Sequence, residues 1–166
     1  MARAQNDLPV TLSVLDRLID TDPKNSTEAP LRPAQTHRQL KEGLRRDLEW
    51  LLNTRRIAEE PDEALKEVNR SLYVFGLPDF SSYSLASPKD QAKLLRVIQS
   101  AIKIFEPRLT NVRLLALEVP TSGLQALRLR IEGMLRVGAE PEYVSFDTLV
   151  ELRSGACKVR GETDAG

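Results

Sequence analysis

The chain has 166 residues, with Lys plus Arg and Asp plus Glu at 24 each, so the formal net charge is zero. That length suits one domain with a sizeable core, and the balance excludes a general attraction to nucleic acid or acidic lipid. A single cysteine, Cys157, leaves no intramolecular disulfide to form and fits a reducing compartment, and no apolar run approaches membrane-spanning length.

The first residues, Met1 to Asp7, lack the apolar segment of a secretory signal, so the protein is expected to begin and remain in the cytosol. Thr11 to Ile19 reads as a short helix with Leu12, Leu15, Leu18 and Ile19 on one face. Asp20 to Thr36 holds Pro23, Pro30 and Pro33 among Asn25, Ser26 and Thr27, and reads as a flexible linker. The chain is therefore divided into a front segment, 1–38, a single α+β domain, 39–161, and a tail, 162–166.

Gln39 to Arg56 is the longest early helix, with Leu40, Leu44, Leu48, Leu51 and Leu52 as its apolar stripe. Glu42 with Arg46, and Arg45 with Glu49, stand four apart and are expected to pair, each for about 0.2–0.5 kcal/mol. Pro61 to Ser71 reads as a short helix and Phe75 to Ser87 as mostly loop. The next helix is the clearest. Ser87 suits its N-cap, Pro88 its first position and Asp90 its first turn, and Leu94, Leu95, Ile98, Ala101, Ile102 and Phe105 form the apolar face.

At Glu106-Pro107-Arg108 the hydrophobic period changes from helical to two. Pro107 has no amide hydrogen and disfavours helical geometry at Glu106, so the helix stops there. Read alone, the triplet is a helix stop with two solvated charges. Read in its setting, it holds a carboxylate and a guanidinium two residues apart at a rigid corner, suited to a partner with paired charges.

Three strands come next. Val112 to Val119 is apolar on both faces apart from Arg113 and Glu118, which suits a strand near the sheet centre. Thr121 to Gly123 turns the chain. Leu127, Leu129, Ile131, Leu135 and Val137 then alternate with Arg128, Arg130, Glu132 and Arg136, and Gly133 marks a bulge or a close approach. Gly138 to Pro141 turns it again, and Val144, Phe146, Thr148, Val150 and Leu152 face inward, opposite Ser145, Asp147 and Glu151. Helices first and strands last, with short connections, give an α+β fold: N-terminal helices followed by a small C-terminal antiparallel sheet.

Catalytic signals are thin. His37, the only histidine, falls in the linker and reads as a solvated loop residue. Cys157 has no motif around it and reads as a small buried side chain. One histidine and one cysteine make no common zinc site, and the scattered glycines form no phosphate-cradling loop. Glu106 and Asp147 are the carboxyls to nominate for a glycosidase, but a guanidinium beside Glu106 is the wrong setting for a general acid. No catalytic, cofactor-binding or metal-binding residue is assigned.

Five stretches in order carry a family resemblance. They are Ser13-Val14-Leu15-Asp16-Arg17-Leu18, the charged run Arg45 to Arg55, Tyr73-Val74-Phe75-Gly76-Leu77-Pro78-Asp79-Phe80, Phe105-Glu106-Pro107-Arg108-Leu109, and Phe146-Asp147-Thr148. Together they resemble the TssE family of type VI secretion baseplate subunits, within the phage baseplate wedge group often labelled "lysozyme-like". The resemblance implies a structural subunit without hydrolase activity or cofactor. It implies a cytoplasmic place in a baseplate docked at the inner membrane, beside TssF, TssG and TssK, with the sheet as a platform for the contractile sheath. It carries Glu106, Pro107 and Arg108 over as the partner-binding corner of the wedge. A regulatory adaptor that binds a response regulator resembles the same fold and is the alternative.

Overall fold

The computed structural model describes residues 13–19, 24, 33–117, 126–137, 140–152 and 154–161. In order they form α1 (Val14–Leu18), α2 (Pro33–Asn53), α3 (Pro88–Phe105), β1 (Leu109–Ala116), β2 (Ala126–Val137), β3 (Glu140–Glu151) and β4 (Cys157–Arg160), with two short 3₁₀ turns at Val68–Arg70 and Leu72–Val74. Helices precede the strands, and the four strands form one antiparallel sheet in the order β1-β2-β3-β4. The α+β expectation therefore holds for the described residues.

The two long helices follow from their apolar stripes. In α2, Leu40, Leu44, Leu48, Leu51 and Leu52 are all buried; in α3, Leu94, Ile98, Ala101 and Ile102 are. The α3 start has the expected chemistry, with the Ser87 hydroxyl accepting from the Asp90 amide at 3.4 Å and Pro88 as the first helical residue. The stripes lie on one face of the sheet, against Leu127, Leu129 and Ile131 of β2 and Val144, Phe146 and Val150 of β3. Each such side chain contributes about 1.5–3 kcal/mol as an upper bound. The alternation read from β2 and β3 is observed, except that Ser145, on the outward set, is itself buried and that the Val137 side chain lies outside what is described.

Several boundaries move. α2 begins at Pro33, six residues before Gln39. Proline's fixed φ suits a first helical turn, so Pro33 opens the helix where its breaker role suggests linker. His37 consequently sits on α2 and not in a loop, with Nδ1 3.7 Å from Glu142 of β3. Apart from Lys24, the part of the expected linker over residues 20–32 lies outside the described residues, as do the turns at 121–123 and 138–139. Over Pro61–Ser71 no α-helix forms, and only Val68–Arg70 makes a 3₁₀ turn. Residues 62–67 are all exposed, and turns hold them, with the Asp62 carboxylate accepting from the Ala64 amide at 2.9 Å. A short helix with no buried face does not repay its nucleation.

β1 is an edge strand, not a central one. Its apolar residues are spent on α3 at one side and on solvent at the other, where Leu115 is 46% exposed. The register with β2 slips between Thr110 and Arg113, and Asn111 takes φ 53°. Asparagine tolerates this left-handed conformation, and the slip is a bulge. Gly133 lies across from it, where an added Cβ would stand 2.8 Å from Leu109 Cδ1. The glycine is a close approach on the partner strand, and the bulge it signals belongs to β1.

β4 has no counterpart among the strands expected from the sequence. Its free edge is taken up by α2: Asn53 Nδ2 donates to the Cys157 carbonyl at 2.7 Å and Asn53 Oδ1 accepts from the Cys157 amide at 2.8 Å. Arg45 Nη1 adds a bond to the Val159 carbonyl at 3.2 Å.

The loop after the 3₁₀ turns is pinned to the end of α2 by Gly76. Its φ is +100°, and an added Cβ would meet the Thr54 carbonyl oxygen at 2.4 Å. Leu77 N donates to that same oxygen at 2.8 Å and Arg56 N donates to the Leu77 carbonyl at 3.0 Å. Gly76→Ala is therefore expected to destabilise the protein by about 1–3 kcal/mol from backbone strain alone. Gly161→Ala, with open space around it, is expected to be nearly silent. Urea denaturation of both variants checks the difference.

Candidate functional site

The corner between α3 and β1 is built from inside the chain. Glu106 caps α3, its amide donating to the Ile102 carbonyl at 2.8 Å, and its side chain turns inward to 5% exposure. Pro107 is exposed. Arg108 folds back on Glu106 as a two-pronged pair, Nε to Oε1 and Nη2 to Oε2, both at 2.6 Å. The same Nη2 reaches Asp47 Oδ2 on α2 at 2.6 Å. The two charges at the corner thus meet each other and a third group, Asp47.

The network extends further. Arg46 donates to Asp47 Oδ1 from Nε at 3.1 Å and Nη2 at 2.9 Å, and its Nη1 meets Asp16 of α1 at 2.8 Å. Asp16 also accepts from the Ser13 hydroxyl at 2.6 Å. Glu106, Arg108, Asp47, Arg46 and Asp16 therefore alternate in sign and tie α1, α2, α3 and β1 together. Gly43 makes room for it, since a Cβ there would stand 2.9 Å from Asp16 Oδ2. The expected Glu42–Arg46 pair does not form, because Arg46 is drawn to the two aspartates and Glu42 pairs with Arg45 at 2.7 Å. The expected Arg45–Glu49 pair does, at 2.8 Å.

Hydrogen bonding to Glu106 raises the Arg108 pKa well above its ordinary value, against the opposing effect of burial. Burial alone would raise the Asp16 carboxyl, but the Ser13 hydroxyl and the Arg46 guanidinium outweigh it and hold the carboxyl below its usual range. One donor is left over. Arg108 Nη1 is buried without an acceptor among the described residues, and such orphans are uncommon.

An open groove of about 400 Å³ runs beside this network, lined by Leu15, Trp50, Phe75, Phe105 and Pro107 together with Asp47, Glu106 and Arg108. Phe75 and Phe105 meet edge to face with ring centres 5.1 Å apart. Trp50 is 53% exposed and Leu15 41%. The apolar face predicted for the first helix is thus open and contributes to the groove. Leu12 lies outside the described residues.

The other nominated residues do not assemble into a catalytic centre. Asp147 lies on the outward face of the sheet, paired with Arg130 at 2.8 Å, whereas Glu106 points toward the helices. Burial pushes the Cys157 thiol up to about 12, which removes it as a nucleophile at neutral pH. No group of three or more His, Cys, Asp or Glu residues that could hold a metal exists among the described residues. None of their helices is long and apolar enough to cross a membrane. Asp47, Asp16, Arg46 and Trp50 are not marked as site residues by the sequence. The only signal is their position in the charged run and the Ser13-to-Leu18 stretch, since contacts across 61 residues, such as Asp47 with Arg108, have no spacing rule.

The internal pairing adds a stability cost at the corner. Breaking a buried pair costs about 3–5 kcal/mol; Arg108 and Asp47 keep 26% and 24% of their side chains exposed, so Glu106→Ala is expected at or below the low end of that range. The cycle of Glu106→Ala, Arg108→Ala and the double variant, read by chemical denaturation, should show strong coupling between the two. The Asp16 contribution has a defined pH sense. With the folded value lowered, it is fully present above the unfolded value near 3.8 and is lost as pH falls through the folded one. Asp16→Asn should lower stability at neutral pH and narrow its gap to the parent below about pH 4 in acid denaturation.

Comparison with known proteins places these features in one family. The profile of the family "Baseplate wedge protein gp25" matches residues 38–140, which takes in α2 from Arg38 on, the groove apart from its Ser13 and Leu15 side, the Glu-Pro-Arg corner and the first two strands. Neither a curated protein nor a solved structure gives a significant match. That family is one of structural proteins and not of enzymes, and it assembles with other baseplate proteins. Because the match covers more than half of the chain, the protein belongs to the gp25 family of baseplate wedge proteins.

Proposed function

We propose that this protein is the TssE-type baseplate subunit of a type VI secretion machine: it joins the wedge beside TssF, TssG and TssK on the cytoplasmic side of the inner membrane and provides a platform for the contractile sheath. It has no catalytic role. The observation that carries this reading is the coincidence of the family's central motif with an open apolar groove. Glu106 and Arg108 are held rigid by Asp47, and Pro107 projects from the corner beside exposed Trp50 and Leu15. Large aromatic side chains next to desolvated charged pairs are what binding hot spots consist of. The orphan donor Arg108 Nη1 lies at the same place.

The sheet supports the platform role. An edge strand accepts a partner strand through its main chain. At β4, Asn53 and Arg45 already occupy edge groups. At β1, eight residues long, the Gln99 side chain meets only the Val112 carbonyl, at 2.8 Å. β1 is the edge we assign to a strand from the sheath.

Trp50→Ala separates assembly from folding. The indole is half exposed and lies under the Arg46 guanidinium, so its loss is expected to cost about 1 kcal/mol of stability and leave the fold intact, yet to remove a hot spot worth about 2 kcal/mol or more, roughly thirtyfold in affinity. Tagged protein purified from its own cells should bring wedge partners with it, and Trp50→Ala should bring fewer and leave cells without sheaths under fluorescence imaging. Arg108→Ala should do the same with an added loss in melting temperature. Normal sheaths in both variants would remove the corner from the interface. Peptidoglycan should be left intact by the purified protein, and a turnover that disappears in Glu106→Gln would overturn the structural reading.

A further inference from the structure

The helices cover one face of the sheet, and among the described residues no helix covers the opposite face. Its charges are unevenly placed. Across β2, β3 and β4 two rows of outward residues lie side by side: Arg128, Leu149 and Lys158, then Arg130, Asp147 and Arg160. Strand spacing and rise put all six within an area of about 10 by 7 Å. Arg130 is bound to Asp147 at 2.8 Å. Arg128, Lys158 and Arg160 are exposed and have no ion-pair partner among the described residues. Two further carboxylates stand at the rim: Glu132, two residues from Arg130 on β2 and acting on its charge, and Glu151, which accepts from the Ser154 hydroxyl at 2.9 Å. A chain with equal numbers of acids and bases thus gathers four cations around one carboxylate, Asp147, with Glu132 and Glu151 at the edge of the patch. Apolar side chains run through it. Leu149 sits between Arg128 and Lys158, and Leu115, 46% exposed, lies opposite Arg130.

We propose that this face is a docking site for an acidic amphipathic helix of a partner protein, with its glutamates or aspartates on Arg128, Lys158 and Arg160 and its apolar stripe on Leu115 and Leu149. Charge complementarity selects the acidic partner. The architecture selects the helix, because an open sheet face is covered by helices or by another sheet, whereas strand addition uses edges. The interleaved leucines and the central Asp147 select protein over nucleic acid, whose phosphates call for an unbroken basic track. The site stands apart from the groove at Glu106 and does not rest on the baseplate reading: it follows from sheet register and charge alone.

The test is a fluorescence anisotropy titration of the whole protein. The probe is a helical peptide of about 18 residues, roughly five turns, with a leucine stripe flanked by glutamates. Saturable binding is expected, weakening from 0.01 to 0.15 M salt as the screening length falls from about 30 to about 8 Å. Three exposed pairs, each worth about two- to fivefold, make the combined Arg128→Gln, Lys158→Gln and Arg160→Gln variant bind at least about tenfold more weakly. Its melting temperature should be unchanged. The same charge loss made on α3, with Lys89→Gln, Lys103→Gln and Arg96→Gln, should cost less than about threefold. Leu149→Ala should weaken binding without altering its salt dependence. An absence of saturable binding, equal losses in the two triple variants, or binding of single-stranded DNA as tight as that of the peptide would each overturn the proposal, the last in favour of nucleic acid.

Discussion

The Arg108 guanidinium is the point at which α2, the end of α3 and the start of β1 meet. It closes on Glu106, two residues back, and on Asp47, in the middle of α2. The first contact sets the angle at which the chain leaves α3 for β1; the second locks that angle to the helix lying over the sheet. Taking these groups out of water is expensive, and a hydrophobic replacement would hold the elements together as well. What an apolar cluster lacks is direction. A bidentate guanidinium–carboxylate pair accepts one geometry, and it holds the exposed proline and tryptophan of the corner in one geometry. The bulge at Asn111 begins just after the corner, so the twist it gives β1 starts from a fixed point.

α2 carries more of the architecture than its leucine stripe conveys. Its buried face packs on the sheet, its last turn closes the β4 edge through Asn53, and its middle turn holds Asp47 for the corner and Arg46 for α1. Arg46 also lies over the Trp50 ring, 5.2 Å from its centre, so the same guanidinium that joins two aspartates supports the exposed indole of the groove. Near its start, Lys41 meets Glu142 of β3 at 2.7 Å. One helix thus positions both the groove and the sheet edge.

The periodic parts of the fold are legible in the sequence. α3 is readable at both ends, because Ser87, Pro88 and Pro107 are local signals, and β2 and β3 are readable from alternation. The hidden features have a common cause: each depends on contacts between distant segments. β4 is four residues long and stands only because β3 and Asn53 border it. β1 reads as central because its apolar content says that it is covered, not by what; the cover is α3 on one side. Pro33 reads as linker because proline both breaks helices and starts them, and a local reading cannot choose between the two. At the site, Glu106 and Arg108 are recognisable as a pair of charges, but their mutual pairing and the share of Asp47 and Trp50 are not, since neither spacing nor composition marks them.

Net charge shows the same limit most sharply. Equal totals of acids and bases exclude a general attraction to polyanions, and for the molecule as a whole that exclusion stands. Yet a screening length of about 8 Å at physiological salt means that a partner feels a patch and not a total. In this fold the balance is reached by segregation. Carboxylates are drawn inward to Arg108 and Arg46 at the corner and to Lys41 under β3, where guanidinium and ammonium groups neutralise them. The outward face of β2 to β4 keeps an excess of cations, Arg128, Arg130, Lys158 and Arg160 around Asp147, with Glu132 and Glu151 at the edge. Strand periodicity puts those side chains together: residues two apart in sequence become neighbours on one face, and antiparallel register sets Arg128 in one row with Lys158 and Arg130 in one row with Arg160. A neutral chain acquires a basic surface through register alone, and an apolar groove with its charges already satisfied on the other side.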